Sequence, residues 1–153
     1  MPPIGIPAVF NTDYTFHSNL GYLSYHRASH YAIVDSSSYG IWFAPDDKMI
    51  PPGQPVVTGF PLFVGADIPL ITQRFLYWPG SGDAYWSDVT TYDYEIQVFT
   101  DLKQTQGDPV NIGDSIYFYF PKHSGYLIQD PNNPEYLTVG DASAALAWTI
   151  AVD

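Results

Sequence analysis

His17-Ser18-Asn19-Leu20-Gly21-Tyr22-Leu23 and, further along, His123-Ser124-Gly125-Tyr126-Leu127 are two versions of one phrase. Each is followed by a polar loop and then by a second matching phrase, Tyr31-Ala32-Ile33-Val34-Asp35 in the first case and Tyr136-Leu137-Thr138-Val139-Gly140-Asp141 in the second. Each closes on an apolar pair, Ile41-Trp42-Phe43 and Trp148-Thr149-Ile150. A third, more divergent version lies between them: Arg74-Phe75-Leu76, a loop from Tyr77 to Ala84, Tyr85-Trp86-Ser87-Asp88, and Ile96-Gln97-Val98-Phe99. The aromatic-Leu anchors Tyr22, Phe75 and Tyr126 stand 53 and 51 residues apart, so three copies fill the 153-residue chain. A Pro-hydrophobic step precedes each copy, at Pro7-Ala8-Val9, Pro55-Val56-Val57 and Pro109-Val110. A repeat of this length with no linker between copies predicts one body whose units bury a shared face.

Within each copy the local signals are for strands. Ser115-Ile116-Tyr117-Phe118-Tyr119-Phe120 is a run of β-formers, and Glu95-Ile96-Gln97-Val98 alternates polar with apolar. Gly and Pro, 12 and 14 of them, interrupt the chain at short intervals, which leaves helices little room. The segment Asp141 to Ala147 has good helix formers but is too short to stand alone, so it is read as a turn leading into a strand from Ala147 to Val152. Apolar residues two apart share one strand face, so the closing pair of each copy is expected in the core.

A threefold all-β unit with about four short strands per copy predicts a β-trefoil, one domain over 1–153 with repeats at roughly 7–50, 55–105 and 109–153. The pattern of Ser-Gly-Tyr-Leu, polar loop, Tyr-Leu-x-Val and terminal Trp-x-Ile resembles the repeat of β-trefoil lectins, the group that includes ricin-B-like and fungal fruiting-body lectins. The Gln-x-Trp closing motif of the ricin-B group is absent. The resemblance implies a non-catalytic carbohydrate-binding protein with up to three pockets, each built from an aromatic ring and an Asp or Asn. Its partners would be glycans or glycoproteins, with a homo-oligomer adding avidity to weak single sites.

Composition narrows the partners independently. Sixteen acidic against five basic residues give a formal charge of −11, which opposes nucleic acid and anionic headgroups, and no direct lipid binding is expected. Only 14% of residues are charged, so the polar surface is largely neutral. No cysteine is present, and the fold is expected without disulfides. The first residues carry no basic and apolar signal pattern, so the expectation is a cytoplasmic product or one released without a signal peptide.

Aromatic residues reach 17%, more than the core anchors require. They concentrate with carboxylates between Tyr77 and Glu95, a pairing that suits polyols: a ring packs on the apolar face of a sugar while a carboxylate takes its hydroxyls. The candidate contacts are Trp78, Asp83, Tyr85, Trp86 and Asp88. Repeat equivalence adds His30, Tyr31 and Asp35 in the first copy and Asn133, Tyr136 and Asp141 in the third. The same rings could instead close an end of the barrel, a choice that only placement decides. His26 and His30 have the spacing of a zinc helix, but they lie in a predicted hairpin without the usual glutamate. No metal, cofactor or catalytic residue is expected. Two further readings of the same scaffold are a trefoil-type protease inhibitor with one protruding loop and a structural or interaction module, such as a cytoskeletal trefoil or the targeting domain of a toxin.

Overall fold

The computed structural model describes residues 5–46, 50, 51, 53–68, 74–88 and 94–153. Among the described residues twelve strands form one antiparallel sheet: β1 (Tyr14–Ser18), β2 (Gly21–Tyr25), β3 (Ala32–Asp35), β4 (Gly40–Pro45), β5 (Leu62–Asp67), β6 (Phe75–Tyr77), β7 (Tyr85–Ser87), β8 (Gln97–Phe99), β9 (Ser115–Phe120), β10 (Gly125–Gln129), β11 (Leu137–Gly140) and β12 (Trp148–Val152). The all-β expectation holds. The segment before β12 is a single 3-10 turn at Ala142–Ala144, because three residues cannot repay helix nucleation.

The strand pairings run in a circuit. β12 pairs β1 over Tyr14↔Val152 to His17↔Thr149, β1 pairs β4 at Tyr14↔Ile41, and β4 pairs β5 over six residues. Leu62 at the start of β5 exchanges two hydrogen bonds with Ile96, 2.9 and 2.7 Å, just before β8. β8 then pairs β9, and β9 returns to β12 at Trp148↔Ile116. Inside this circuit Phe16, Phe43 and Phe118 meet edge to face, with centroids 5.4 and 5.6 Å apart, and all three are fully buried. The closing pairs join this core: Ile41 with Phe43, Ile96 with Val98, and Trp148 with Ile150. In the middle copy the pair sits one residue earlier than Gln97-Val98-Phe99 suggests. Gln97 turns its amide out to donate to the Gly59 carbonyl at 3.2 Å.

One end of the circuit is sealed by the three Pro-hydrophobic steps. The Ala8 N–H donates to the Val110 carbonyl (2.8 Å), the Val110 N–H to Val56 (3.1 Å) and the Val56 N–H to Ala8 (2.8 Å). The three bonds form a closed ring with one member from each copy, and all three side chains are inaccessible. Proline fits beside it because each ring donor is the residue after Pro, so the missing N–H is not needed.

The other end is covered by three hairpins, β2–β3, β6–β7 and β10–β11. They are stitched to one another through backbone. Ala32 N–H donates to Ala84 (3.0 Å), Trp86 N–H to His30 (2.7 Å), Ala84 N–H to Leu137 (2.8 Å) and Val34 N–H to Glu135 (3.0 Å).

Candidate interaction surface

The hairpin end gathers Tyr31, Tyr85 and Tyr136. Tyr31 and Tyr85 face each other across an isolated bridge, and the rings of Tyr31 and Tyr136 lie 5.1 Å apart. From Tyr85 the belt continues to Tyr77 at 5.5 Å, edge to face, and on to Tyr94, stacked on Tyr77 at 4.0 Å. From Tyr136 it continues to His26 at 6.4 Å. Every ring of the belt is half-buried, so each packs with one edge and leaves another to solvent. The hydroxyls crowd as well: burial first, then Tyr94, Tyr77 and Tyr31, raise the Tyr85 phenol above its ordinary value of 10.

Polar bonds hold the rim in place. His30 adopts φ +65°, unusual for a residue with a side chain, and its Nδ1 lies 2.6 Å from the buried Tyr25 hydroxyl. Burial raises that hydroxyl to about 12, so Tyr25 stays neutral. His26 Nδ1 is similarly engaged by Ser29 Oγ at 2.6 Å. The two histidines therefore brace a turn between β2 and β3 in place of a zinc helix, and among the described residues no group of three or more His, Cys, Asp or Glu is placed to hold a metal.

Of the residues expected at a ligand, Tyr31, Tyr85 and Tyr136 come together, with His30 behind them. Trp78 lies beside them, half-buried: its indole N–H donates to the Gly82 carbonyl at 2.9 Å and its ring meets His123 edge-on at 4.7 Å. Asp83 is next to that carbonyl, with Oδ1 buried and without a hydrogen-bond partner. Its carboxyl is pushed up to about 6 by burial, then by a hydrogen bond with Asp130 and by the Asp130 charge. Asn133 is exposed in the β10–β11 turn, where its N–H donates to the Asp130 carbonyl at 3.3 Å and its carbonyl accepts from Tyr136 N–H at 2.9 Å.

Four expectations fail on geometry. Trp86 is a core residue, only 1% exposed, stacked on Tyr25 at 5.8 Å with its indole N–H directed at the Ser24 carbonyl, 3.4 Å away. Neighbours on a strand point to opposite faces, so Tyr85 and Trp86 cannot both face a ligand. Asp35, Asp88 and Asp141 are exposed, but they lie three to five residues past Tyr31, Tyr85 and Tyr136, on the far side of β3, β7 and β11. At ~3.3 Å per residue that is about 10 Å or more, too far for a ring and its carboxylate to share one small ligand. Asp35 instead accepts from its neighbour's N–H, Ser36, at 2.7 Å. Tyr92 and Asp93, part of the same aromatic-acidic run, lie outside the described residues.

Sequence reasoning passed over Tyr77, Tyr94, His26 and Asp130. Tyr77 was legible by parity, because it pairs with Tyr85 across β6 and β7. Asp130 was not, since nothing local marks it as the partner of a carboxyl 47 residues earlier.

No family model and no curated protein matches this sequence. Among solved structures, the chain is similar to the lysenin pore, with a TM-score of 0.71 over 99% of this chain and 13% sequence identity. The chain spans about half the length of that lysenin chain, 50% of which is matched. At this identity the likeness concerns the fold alone. It overturns the resemblance to ricin-B-like and fungal fruiting-body lectins and the glycan-binding function drawn from it, because the architecture is found in a pore protein and the ring-plus-carboxylate pockets are not assembled.

Proposed function

We propose that this chain is a non-catalytic recognition module of the kind that accompanies a pore-forming body, and that it attaches to a membrane-exposed target through the tyrosine belt. The observation that carries the reading is the whole-chain likeness to half of a lysenin pore chain. The belt agrees with it: tyrosine offers large amphipathic contact with little side-chain entropy to lose, and here Tyr31, Tyr77, Tyr85 and Tyr136 stand on or beside hairpins joined by backbone bonds, while Tyr94 is tied to them by stacking on Tyr77 and by the Ser87 hydroxyl at 2.9 Å. The formal charge of −11 directs the target away from anionic lipid and toward neutral or basic groups. The finer fold belongs to the same proposal. A β-trefoil with repeats at about 7–50, 55–105 and 109–153 is supported by the three-membered hydrogen-bond ring, by the three hairpins at the opposite end, and by the recurrence of Tyr31, Tyr85 and Tyr136.

Co-sedimentation tests the attachment. The parent chain is expected to pellet with erythrocyte membranes or with zwitterionic phosphatidylcholine vesicles, and to stay in solution with phosphatidylserine-rich ones. Loss of pelleting after protease treatment of the erythrocyte membranes would assign the target to protein. A Tyr31→Ala/Tyr136→Ala variant that is folded by circular dichroism is expected to lose at least tenfold in binding, about 1.4 kcal/mol. Failure of the parent to bind any of these membranes, or full binding by the variant, would remove the proposal.

A further inference from the structure

We infer that the cleft beside the hydrogen-bond ring, between Phe10 and Phe60, is a binding site for one small, uncharged aromatic molecule. It lies at the end opposite the tyrosine belt and is independent of what the belt binds.

The cleft encloses about 330 Å³, near the lower bound of the roughly 300–1,000 Å³ usual for small-molecule sites. Main chain holds its walls on both sides. The Phe10 N–H donates to the Gln54 carbonyl at 3.0 Å, the Gly53 N–H donates back to the Phe10 carbonyl at 3.3 Å, and Val9 bridges Pro55. On the other side Thr58 fixes Val57: its N–H donates to the Asp108 carbonyl at 2.8 Å and its hydroxyl to the Thr105 carbonyl at 2.7 Å. The site is formed before anything enters it, so little ordering accompanies binding.

The lining chooses the ligand. Phe10 and Phe60 stand 6.2 Å apart with their planes inclined at 60°, and two rings at such an inclination offer an entering third ring both a face and an edge. Ile50, Val57, Pro51 and Pro55 complete the apolar wall, and Gln54, an exposed residue, is its one polar side chain. Among the described residues no ionisable group lines the cleft, although the chain carries 16 acidic and 5 basic residues. Two other clefts differ: Asp13, Asp67 and Arg74 line one, and His17 lines the other. A charged ligand would shed its hydration beside Phe10 without finding a countercharge. Water in so apolar a cleft makes few hydrogen bonds and is displaced at little cost. The ligand class is therefore an aromatic body without charge, bearing at most one polar substituent for the Gln54 amide.

Fluorescence titration of the full chain with N-phenyl-naphthylamine, an uncharged probe, tests the assignment. Its emission is expected to saturate at one probe per chain. Anilinonaphthalene sulfonate, with the same rings and a negative charge, should bind about tenfold more weakly. Val57→Trp fills the cleft from its wall and should likewise weaken the uncharged probe about tenfold. If that variant does not fold, Pro51→Trp on the exposed side serves instead. The Tyr31→Ala/Tyr136→Ala variant should bind the probe as the parent does. Absence of saturable binding by the parent, equal affinity for the sulfonate, full binding by a folded tryptophan variant, or loss of binding in the tyrosine variant would overturn the site. So would probe binding that fades as the chain self-associates at higher concentration, because the occupant would then be a second copy.

Discussion

The two ends of the molecule each join three separate stretches of chain, and do so in opposite ways. At the ring end Ala8, Val56 and Val110 contribute little beyond backbone, and their three hydrogen bonds close on themselves out of reach of water. At the hairpin end the corresponding places carry Tyr31, Tyr85 and Tyr136, half-exposed rings bordered by histidines and paired carboxyls. Small side chains let three segments meet closely, where each bond is shielded and strong. Large ones keep the copies apart and leave faces to meet something else. Stability should therefore concentrate toward the barrel and its ring, and recognition at the hairpins.

The largest expected effect is on the barrel side of this comparison. Phe16 touches both Phe43 and Phe118 and is wholly buried. Phe16→Ala should cost about 3–5 kcal/mol of unfolding free energy in a denaturant titration. Membrane binding per folded molecule should be unchanged. If binding fell with stability corrected for, the separation of the two ends would be wrong.

A smaller loss is expected from crowding the barrel wall. Gly65 on β5 lies opposite Trp42 on β4, and a Cβ added there would stand 2.4 Å from the Trp42 ring. The ring is itself wedged edge-on against Phe75 at 5.4 Å, so it has little freedom to retreat. Gly65→Ala should destabilise by about 1–3 kcal/mol, measured by thermal unfolding. A neutral outcome would mean that the wall yields more readily than the ring contacts imply.

These features differ in how far the sequence revealed them. The Pro-hydrophobic steps and the closing pairs were legible because they recur at fixed spacing and because burial follows strand parity. The tyrosines of the hairpin end were visible as a surplus, yet their partners were misassigned. Ring and carboxylate close in sequence, as in Tyr31 and Asp35, suggest one pocket; on an extended strand the same spacing puts them at opposite ends of the hairpin. Trp86 shows a related error, since alternation alone would have sent it inward once Tyr85 faced out. Asp130 could be matched to Asp83 only after the three hairpins were docked, a long-range fact that no local motif carries. The lectin reading failed for a more general reason: rings beside acids serve many polar surfaces, and composition does not choose among them.

Acidity should act on the hairpin end and the seams more than on the core. Asp13, Asp83 and Glu95 are raised from 3.8, 3.8 and 4.5 to about 6, 6 and 7, in each case by burial first and then by a neighbouring carboxyl: Asp67, Asp130 and Asp46 respectively. For groups raised on folding, the stabilising protonation is fully in force below the ordinary carboxylate range and is lost as pH climbs through 6 to 7. None of the three is deeply buried, so solvent screening leaves only a fraction of the full linkage, roughly 1–2 kcal/mol in all. The Tm at pH 5 should thus exceed that at pH 8 by roughly 3–6 °C. Asp101 and Asp130 are lowered, chiefly by Thr105 and by Asp83, and their share disappears as pH falls below the carboxylate range. An optimum at mildly acidic pH follows, and a chain more stable at pH 8 than at pH 5 would refute the carboxyl pairs.

The smallest effect separates the backbone stitching of the hairpins from their side-chain ties. Thr138 Oγ1 donates to the Gly82 carbonyl at 2.7 Å, and that carbonyl keeps a second donor in the Trp78 indole. Thr138→Val preserves the shape and removes only the hydroxyl, so no buried acceptor is orphaned. The net loss should be about 0.5 kcal/mol, a fall in Tm of ~1–2 °C. Combined with Asp83→Ala, the two losses should not simply add, because residues 82 and 83 are anchored to the same neighbouring hairpin and each bond limits what the other can release. Strict additivity in that double variant would mean the hairpins are positioned by the Ala84–Leu137 and Trp86–His30 backbone bonds alone. The side chains between them would then be free to vary, and the hairpin end would come to resemble the ring end, held by main chain and indifferent to what projects from it.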